Sequence, residues 1–209
     1  MANLPLNLVK QLYYRKKLST IEIAKRLKVT PWIVQKFMVR NRLPRRTFSE
    51  ANAEKFKKQS ITFSLKRNLS LKDRKLKIAG VMLYWSEGGK SNPENRIWTV
   101  DFANSNPQMV QLFLKFLREI CGVDKNRLRV LLYCYADQSV ETLKKYWSKI
   151  TKIPIKQFTK PYVRKDFLPE KSGKMKFGLV HIRYNDKKLL LQIEDWIREY
   201  LRRNYILEG

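Results

Sequence analysis

The sequence has little from which a disulfide framework or a zinc site could be built. Its 209 residues include two cysteines, Cys121 and Cys134, and one histidine, His181. Two thiols cannot form a network of disulfides, and a single imidazole cannot complete a set of soft zinc ligands. A catalytic metal would therefore need oxygen ligands, for which magnesium is the usual ion.

Long apolar runs and acidic residues are also scarce. No run reaches the roughly 18 apolar residues of a membrane span, and residues 1–17 lack the apolar core of a signal peptide. We therefore expect no membrane association and a cytoplasmic location. The 45 Lys and Arg residues outnumber the 18 Asp and Glu residues, which gives a formal charge of +27. Such a charge favours a polyanionic partner, and a hydrophobic content of 44% is sufficient for a folded core.

Residues 1–43 have the pattern of a small all-α domain. Ser19 and Glu22 form a capping box that opens one helix, and Thr30 followed by Pro31 opens the next. Two short helices joined by a tight turn are typical of a helix-turn-helix DNA-binding domain. A generic three-helix bundle would explain the apolar spacing equally well, but it would not explain the charge. The residues suited to contact base edges and phosphates are Thr30, Trp32, Gln35, Lys36 and Arg40.

Residues 44–69 are predicted to be a basic arm and linker. Pro44 prevents the preceding helix from continuing, and Arg42, Arg45 and Arg46 surround it. Basic arms of this kind commonly enter the minor groove of DNA. A solvated tether and a strap that contacts DNA both remain open for this segment.

Residues 70–209 are predicted to form an α+β domain whose first helix ends at an acid. That helix has almost no polar face, so it must be buried on most sides. Glu87 lies at its C-terminus beside Gly88, where the negative end of the helix dipole disfavours a carboxylate. A divalent cation would relieve this repulsion, although an exposed glutamate that tolerates a small penalty is the simpler alternative.

The remainder of this domain alternates between strand and helix patterns. We expect strands at residues 96–104, 127–136 and 174–184, an extended segment at 158–163, and a closing helix from residue 187 to residue 203. These elements predict an antiparallel sheet with helices on one face and a basic, aromatic face suited to the major groove. The candidate DNA contacts on that face are Thr99, Asp101, Arg127, Arg129, Tyr133, Tyr135, His181 and Arg183.

Several stretches resemble a known family. Residues 80–88, GVMLYWSEG, and the order of elements that follows them resemble the LAGLIDADG homing endonuclease fold over about residues 71–201. Residues 45–51, 102–107 and 157–163 are similar to a group of prokaryotic LAGLIDADG-like proteins that carry an N-terminal helix-turn-helix. The resemblance implies two domains, the first all-α and the second a LAGLIDADG-like α+β domain, in a nucleoid-associated prokaryotic protein.

The resemblance also implies a magnesium-dependent, sequence-specific endonuclease that hydrolyses DNA phosphodiesters. Glu87 would then be the metal ligand, and Gly88 would let the backbone approach the site. Because one motif is present, the active site would need a homodimer joined through the helix Leu71–Glu87. The family also uses a basic residue near the metal-bound water. The candidates for this catalytic residue are Lys160, Lys174 and Arg183.

Two alternatives remain open because the motif departs from the family pattern. Glu87 replaces the usual aspartate, and Val81 and Met82 replace the usual small residues. A catalytically inactive transcription regulator with the same fold would bind DNA without cutting it. An RNA-binding or maturase-like protein would instead stack bases on Tyr133 or Tyr135. Magnesium-dependent cleavage would distinguish an endonuclease from the inactive regulator. Competition between duplex DNA and structured RNA would distinguish a DNA-binding protein from an RNA-binding one.

Overall fold

The computed structural model describes residues 4–92, 94, 98–164 and 175–204. The chain divides into two compact units, Met1–Ser60 and Ile61–Gly209. The predicted α+β class is confirmed, since the described residues form eight α-helices and a mixed sheet of four strands. Among these helices, none has both the length and the apolar character needed to cross a membrane.

The first unit is helical throughout. Its helices are α1 (Leu6–Lys10), which continues into a π-helical turn (Gln11–Arg15), α2 (Thr20–Leu27), α3 (Pro31–Arg40) and α4 (Phe48–Lys58). Helices α1 to α3 surround one small core, whereas α4 buries none of its residues. The buried hydrophobic residues are Leu4, Val9, Leu12, Tyr13, Ile23, Ala24, Val34, Met38 and Leu43.

The predicted caps form at the starts of α2 and α3. The Ser19 hydroxyl accepts a hydrogen bond from the backbone N–H of Glu22 at 3.2 Å, and the Glu22 carboxylate accepts one from the Ser19 N–H at 2.6 Å. The Thr30 hydroxyl accepts from the N–H of Ile33 at 3.4 Å. Between the helices Lys28 has a φ of 54°, in the left-handed region that glycine adopts more easily. The turn between α2 and α3 therefore begins with a residue in a conformation that lysine does not favour.

The predicted arm and linker, residues 44–69, is divided between the two units. Helix α4 belongs to the first unit, whereas residues 61–69 belong to the second. There the side chain of Phe63 packs against the core, and the backbone N–H of Ser64 donates to the carbonyl of Gly122 at 3.1 Å. Residues 61–69 are thus ordered by contacts within the second unit.

The second unit combines a sheet with four long helices. Its elements are α5 (Leu71–Glu87), β1 (Val100–Asn104), α6 (Pro107–Glu119), β2 (Arg129–Tyr135), α7 (Val140–Thr151), β3 (Tyr162–Arg164), β4 (Leu179–Tyr184) and α8 (Lys187–Arg203). The strand order is β1-β4-β2-β3. Strand β4 is antiparallel to both β1 and β2, but β3 runs parallel to β2. The expectation of a purely antiparallel sheet is therefore wrong, because α7 returns the chain before β3 begins and such a crossover produces a parallel pair.

Three strands begin later than their sequence patterns predict, and the first of them, β1, starts only at Val100. Arg127 belongs to a short 3-10 helix, Lys125–Arg127, and β2 starts only at Arg129. The side chain of Asp124 accepts a hydrogen bond from the N–H of Asn126 at 2.9 Å, which stabilises the turn before the strand. Strand β4 starts at Leu179, directly after Gly178, whose φ is 64°.

The two faces of the sheet have different surroundings. One face packs against α5 to α8 in a single core that contains, for example, Phe102, Leu132 and Ile182. We call the other side the open face. The strand alternation and register place on it Asp101, Ala103, Arg129, Leu131, Tyr133, Tyr135, Tyr162, Arg164, His181 and Arg183.

Candidate nucleic-acid interface

The centre of the open face is a hydrogen-bonded cluster around a carboxylate. Asp101 on β1 lies opposite Arg183 on β4, and Arg183 lies opposite Arg129 on β2. Nε of Arg183 donates to one oxygen of Asp101 at 2.8 Å, and Nδ1 of His181 lies 2.9 Å from the other oxygen. Partial burial raises the pKa of Asp101, but the hydrogen bonds and charges of His181 and Arg183 outweigh it, so that its pKa is lowered. Asp101 is therefore an ionised acceptor.

The side of the open face that β2 and β3 form is aromatic. The rings of Tyr133 on β2 and Tyr162 on β3 are stacked, with centroids 4.9 Å apart and planes at 18°. Tyr162 is 56% exposed, and Tyr135 lies opposite Arg164. Tyr162 and Arg164 were missing from the predicted contacts. The alternation of Tyr162 and Arg164 is visible in the sequence, but the pairing of β3 with β2 is not.

The remaining predicted contacts of the second unit lie around the rim of the sheet. Nη1 of Arg129 donates to the carbonyls of Asn126 and Leu128 at 2.7 and 2.8 Å, so its guanidinium is held at the start of β2. Arg127 lies outside the strand, and its Nη2 donates to a backbone carbonyl at 3.0 Å. Thr99 is half-buried and precedes β1 by one residue.

The third helix of the first unit exposes most of the side chains predicted to contact DNA. Trp32 is 63% exposed, and Nζ of Lys36 lies 4.6 Å from the centroid of its ring. Arg40 is exposed and Gln35 is half-buried, whereas Thr30 is exposed but already serves as the helix cap. Helix α3 therefore presents a mixed cationic and aromatic surface.

The three arginines around Pro44 do not share one environment. Arg42 and Arg45 are exposed. The guanidinium of Arg46 instead lies 4.2 Å from the ring centroid of Tyr13, and its Nη2 donates to the carbonyl of Leu18. Arg46, predicted to contact DNA, therefore packs inward, because an aromatic face and an unused carbonyl offer its guanidinium partners within the unit.

The C-terminus of α5 already has a cation. Glu87 is the exposed last residue of the helix, and the ammonium of Lys90 donates to the carbonyls of Tyr84, Trp85 and Gly88 at 3.0, 2.7 and 3.1 Å. Desolvation lowers the pKa of Lys90. Sequence reasoning expected a cation at this negative helix end and missed that the chain supplies one. The signal was a lysine three residues beyond the helix, where basic groups bind terminal carbonyls.

The residues proposed as metal ligands do not form a magnesium site within one chain. Glu87 contributes one carboxylate, and the Gly88 carbonyl is already bound by Lys90. A side chain at Gly88 would place Cβ 2.4 Å from the ring of Tyr84, so glycine is needed there for packing. Across the described part of the chain, no cluster of three His, Cys, Asp or Glu residues is arranged to hold a metal.

Two of the candidate basic residues for catalysis lie at different strands of the sheet. The bridge between Gly88 and Phe102 places the end of α5 beside β1, at one edge of the sheet. Lys160 precedes β3, which forms the opposite edge, and Arg183 on β4 is bonded to Asp101. Lys174 lies outside the described residues.

An apolar groove runs along α5. Ile78 and Trp85 are 50% and 42% exposed, and Leu71 lies seven residues before Ile78, so the three share one side of the helix. Gly80 does not belong to this side, because it packs against Phe116 inside the unit. The groove is lined by Ala79, Met82, Leu83, Trp85, Ser86 and Leu112, so it contains only Trp85 of the three exposed residues.

Comparison of the chain with protein-family models, with curated proteins and with solved structures finds no match. The function must therefore be argued from the open face, from α3 and from the end of α5.

Proposed function

We propose that this protein binds double-stranded DNA in a sequence-specific manner, with the open face in the major groove. The observation that carries the proposal is the composition of that face. Three arginines and three tyrosines share it with one histidine, while the opposite face is covered by helices. A sheet that presents such donors at alternate positions is suited to base edges and phosphates.

The charge of the chain supports the same partner. A formal charge of +27 attracts phosphates wherever they approach, and counterion release then supplies much of the affinity. The exposed cations of α3 add a second basic surface on the first unit. In this proposal α3 acts as the recognition helix of a helix-turn-helix and lengthens the recognised site.

The exposed apolar side of α5 supports a homodimer of this DNA-binding protein. Exposed Leu71, Ile78 and Trp85 repeat every seven residues, which is the spacing of a two-helix seam. A second copy that packs its own α5 there would bury them and would bring two open faces to one nearly palindromic site. Sedimentation of the full chain should give the mass of a dimer, and Ile78→Lys should give a monomer.

Selection of bound sites from a random duplex library tests the proposal. We expect the full chain to enrich a defined sequence from the pool. A protein that retains duplex DNA without enriching any sequence would contradict sequence-specific binding.

A metal-dependent endonuclease is the second candidate, supported by the exposed position of Glu87 at the end of α5 and by the resemblance described above. Since no cluster of three metal-binding side chains occurs among the described residues of one chain, we propose this activity for the dimer. Incubating the enriched duplex with magnesium, using wild type and Glu87→Gln, separates the candidates. Cleavage that disappears in the variant would indicate an endonuclease, whereas tight binding without cleavage by either protein would indicate a regulator.

The stack of Tyr133 on Tyr162 supports RNA binding as a third candidate, because exposed aromatic rings on a sheet bind unpaired bases. Competition of labelled duplex DNA with structured RNA tests it. If structured RNA displaces the labelled duplex at a lower concentration than unlabelled duplex does, RNA is the preferred partner.

A further inference from the structure

The chain has a single histidine, and it lies at the centre of the open face. Its neighbours across the sheet are Ala103 on β1 and Leu131 on β2, which carry no charge. The side chain of His181 is 23% exposed, so its ring can be reached by a group that approaches the face. What such a group can bind depends on which of the two ring nitrogens carries a proton.

The contact with Asp101 determines the position of that proton. Asp101 is an ionised carboxylate, which only accepts hydrogen bonds, and Nδ1 of His181 lies 2.9 Å from one of its oxygens. Nδ1 must therefore carry a proton. In the neutral ring the second nitrogen, Nε2, is then an acceptor. Nε2 has no partner among the described residues.

Asp101 is itself held in position. Its second oxygen accepts from Nε of Arg183 at 2.8 Å, so the carboxylate is fixed between the two side chains of β4. The charged groups on the strands around the imidazole are Asp101 on β1, Arg183 on β4 and Arg129 on β2. Of these, only Asp101 bonds to the ring, while Arg129 is bonded to backbone carbonyls.

Resting on the DNA binding proposed above, we propose that His181 determines specificity at one base pair of each half-site and that Asp101 positions it. With a neutral ring, Nε2 accepts a hydrogen bond from the exocyclic amino group of cytosine or adenine. At this position the protein therefore prefers cytosine or adenine over guanine, because N7 and O6 of guanine are acceptors like Nε2 itself.

The first test is direct observation of the tautomer. In the full chain, 15N NMR of the single imidazole at pH 8 should show a protonated Nδ1 and an unprotonated Nε2. Asp101→Asn should shift the ring toward the Nε2–H form, since an amide no longer requires a donor at Nδ1. A wild-type ring that is protonated at Nε2 at pH 8 would overturn the inference.

The second test is selection of bound duplexes with the wild type and with two variants. At one position in each half-site, we expect the wild type to prefer cytosine or adenine over guanine by about tenfold. His181→Ala should remove this preference. Arg198→Ala, a surface variant on α8 whose charge is paired with Asp195, should retain it.

The outcomes separate this inference from the function on which it rests. The absence of such a position from the enriched sites, or a preference for cytosine or adenine that survives in His181→Ala, overturns the role of His181 while leaving DNA binding intact. Failure of the wild type to enrich any duplex sequence overturns the proposed function, and the inference with it.

Discussion

The two units are stabilised in different ways. Among the described residues, the first unit buries nine hydrophobic residues in its core and the second buries 27. A unit of about 60 residues buries a small share of its surface, so the first depends more on caps and on the contact of Arg46 with Tyr13. The second unit depends on packing of helices against a sheet. A substitution should therefore act differently according to the unit in which it lies.

The units also present their candidate DNA contacts differently. In the first unit these side chains lie on one face of the short helix α3, whereas in the second they are spread over four strands. A sheet supported by a large core holds side chains more rigidly than a short helix does. The open face is therefore the better candidate for base-specific contacts.

Gly122→Ala should have the largest effect on stability. Gly122 has a φ of 59°, and a Cβ there would lie 2.1 Å from the carbonyl oxygen of Ser64. Left-handed strain and overpacking against backbone together should lower the free energy of unfolding of the second unit by about 2 to 4 kcal/mol. Urea denaturation followed by circular dichroism measures this loss. An unchanged midpoint would show that residues 61–69 do not pack on the second unit as described.

Arg46→Ala and Arg45→Ala should separate stability from binding in the first unit. Loss of the Arg46 contacts with Tyr13 and Leu18 should cost about 1 to 2 kcal/mol. Removing exposed Arg45 should leave thermal unfolding unchanged and weaken binding to duplex DNA. Equal unfolding of the two variants would contradict the inward position of Arg46.

Acid should weaken each unit through a carboxylate whose pKa is strongly lowered. Backbone and side-chain hydrogen bonds from Ser19 and Lys58 lower the pKa of Glu22 to about 2, and bonds from Lys66 and Ser70 lower that of Asp73 to about 2. Because both values lie below those of the unfolded chain, the stabilisation is present above about pH 4.5 and is lost as the pH falls toward 2. Glu22→Gln should reduce this dependence in the first unit, and Asp73→Asn in the second. Unfolding curves between pH 2 and 6 measure it, and an undiminished acid dependence in either variant would be the contrary result.

Lys28→Gly should have the smallest effect and the opposite sign. Lys28 adopts a φ of 54°, which costs a side-chain-bearing residue about 1 to 2 kcal/mol, and the added chain entropy of glycine offsets part of the gain. We expect the variant to be more stable by about 0.5 kcal/mol. A melting temperature below that of the wild type would show that the lysine side chain contributes more than its strain costs.

Local features of the fold could be predicted from the sequence, whereas features that depend on distant pairing could not. The caps at Ser19 and Thr30 follow from residues three positions apart, and the α+β class follows from alternating periods. The parallel pairing of β3 depends on where α7 returns the chain, which no local pattern specifies.

The candidate site likewise has features that could be predicted from the sequence and features that could not. Alternation along a strand was sufficient to place His181 and Arg183 on one face. Alternation could not show that Arg46 packs on Tyr13 or that Lys90 binds the end of α5. Both contacts depend on which partner a long, flexible basic side chain reaches in the folded protein.

The most direct test of the central claim is the affinity of the full chain for its enriched duplex, measured by fluorescence anisotropy over a range of salt concentrations. Wild type would be compared with Arg183→Ala on the open face and with Arg198→Ala on α8. Each variant removes one positive charge, so the net charges of the two variants match. We predict that Arg183→Ala weakens binding about tenfold and that Arg198→Ala binds like the wild type. Equal affinities of the two variants would contradict DNA binding through the open face.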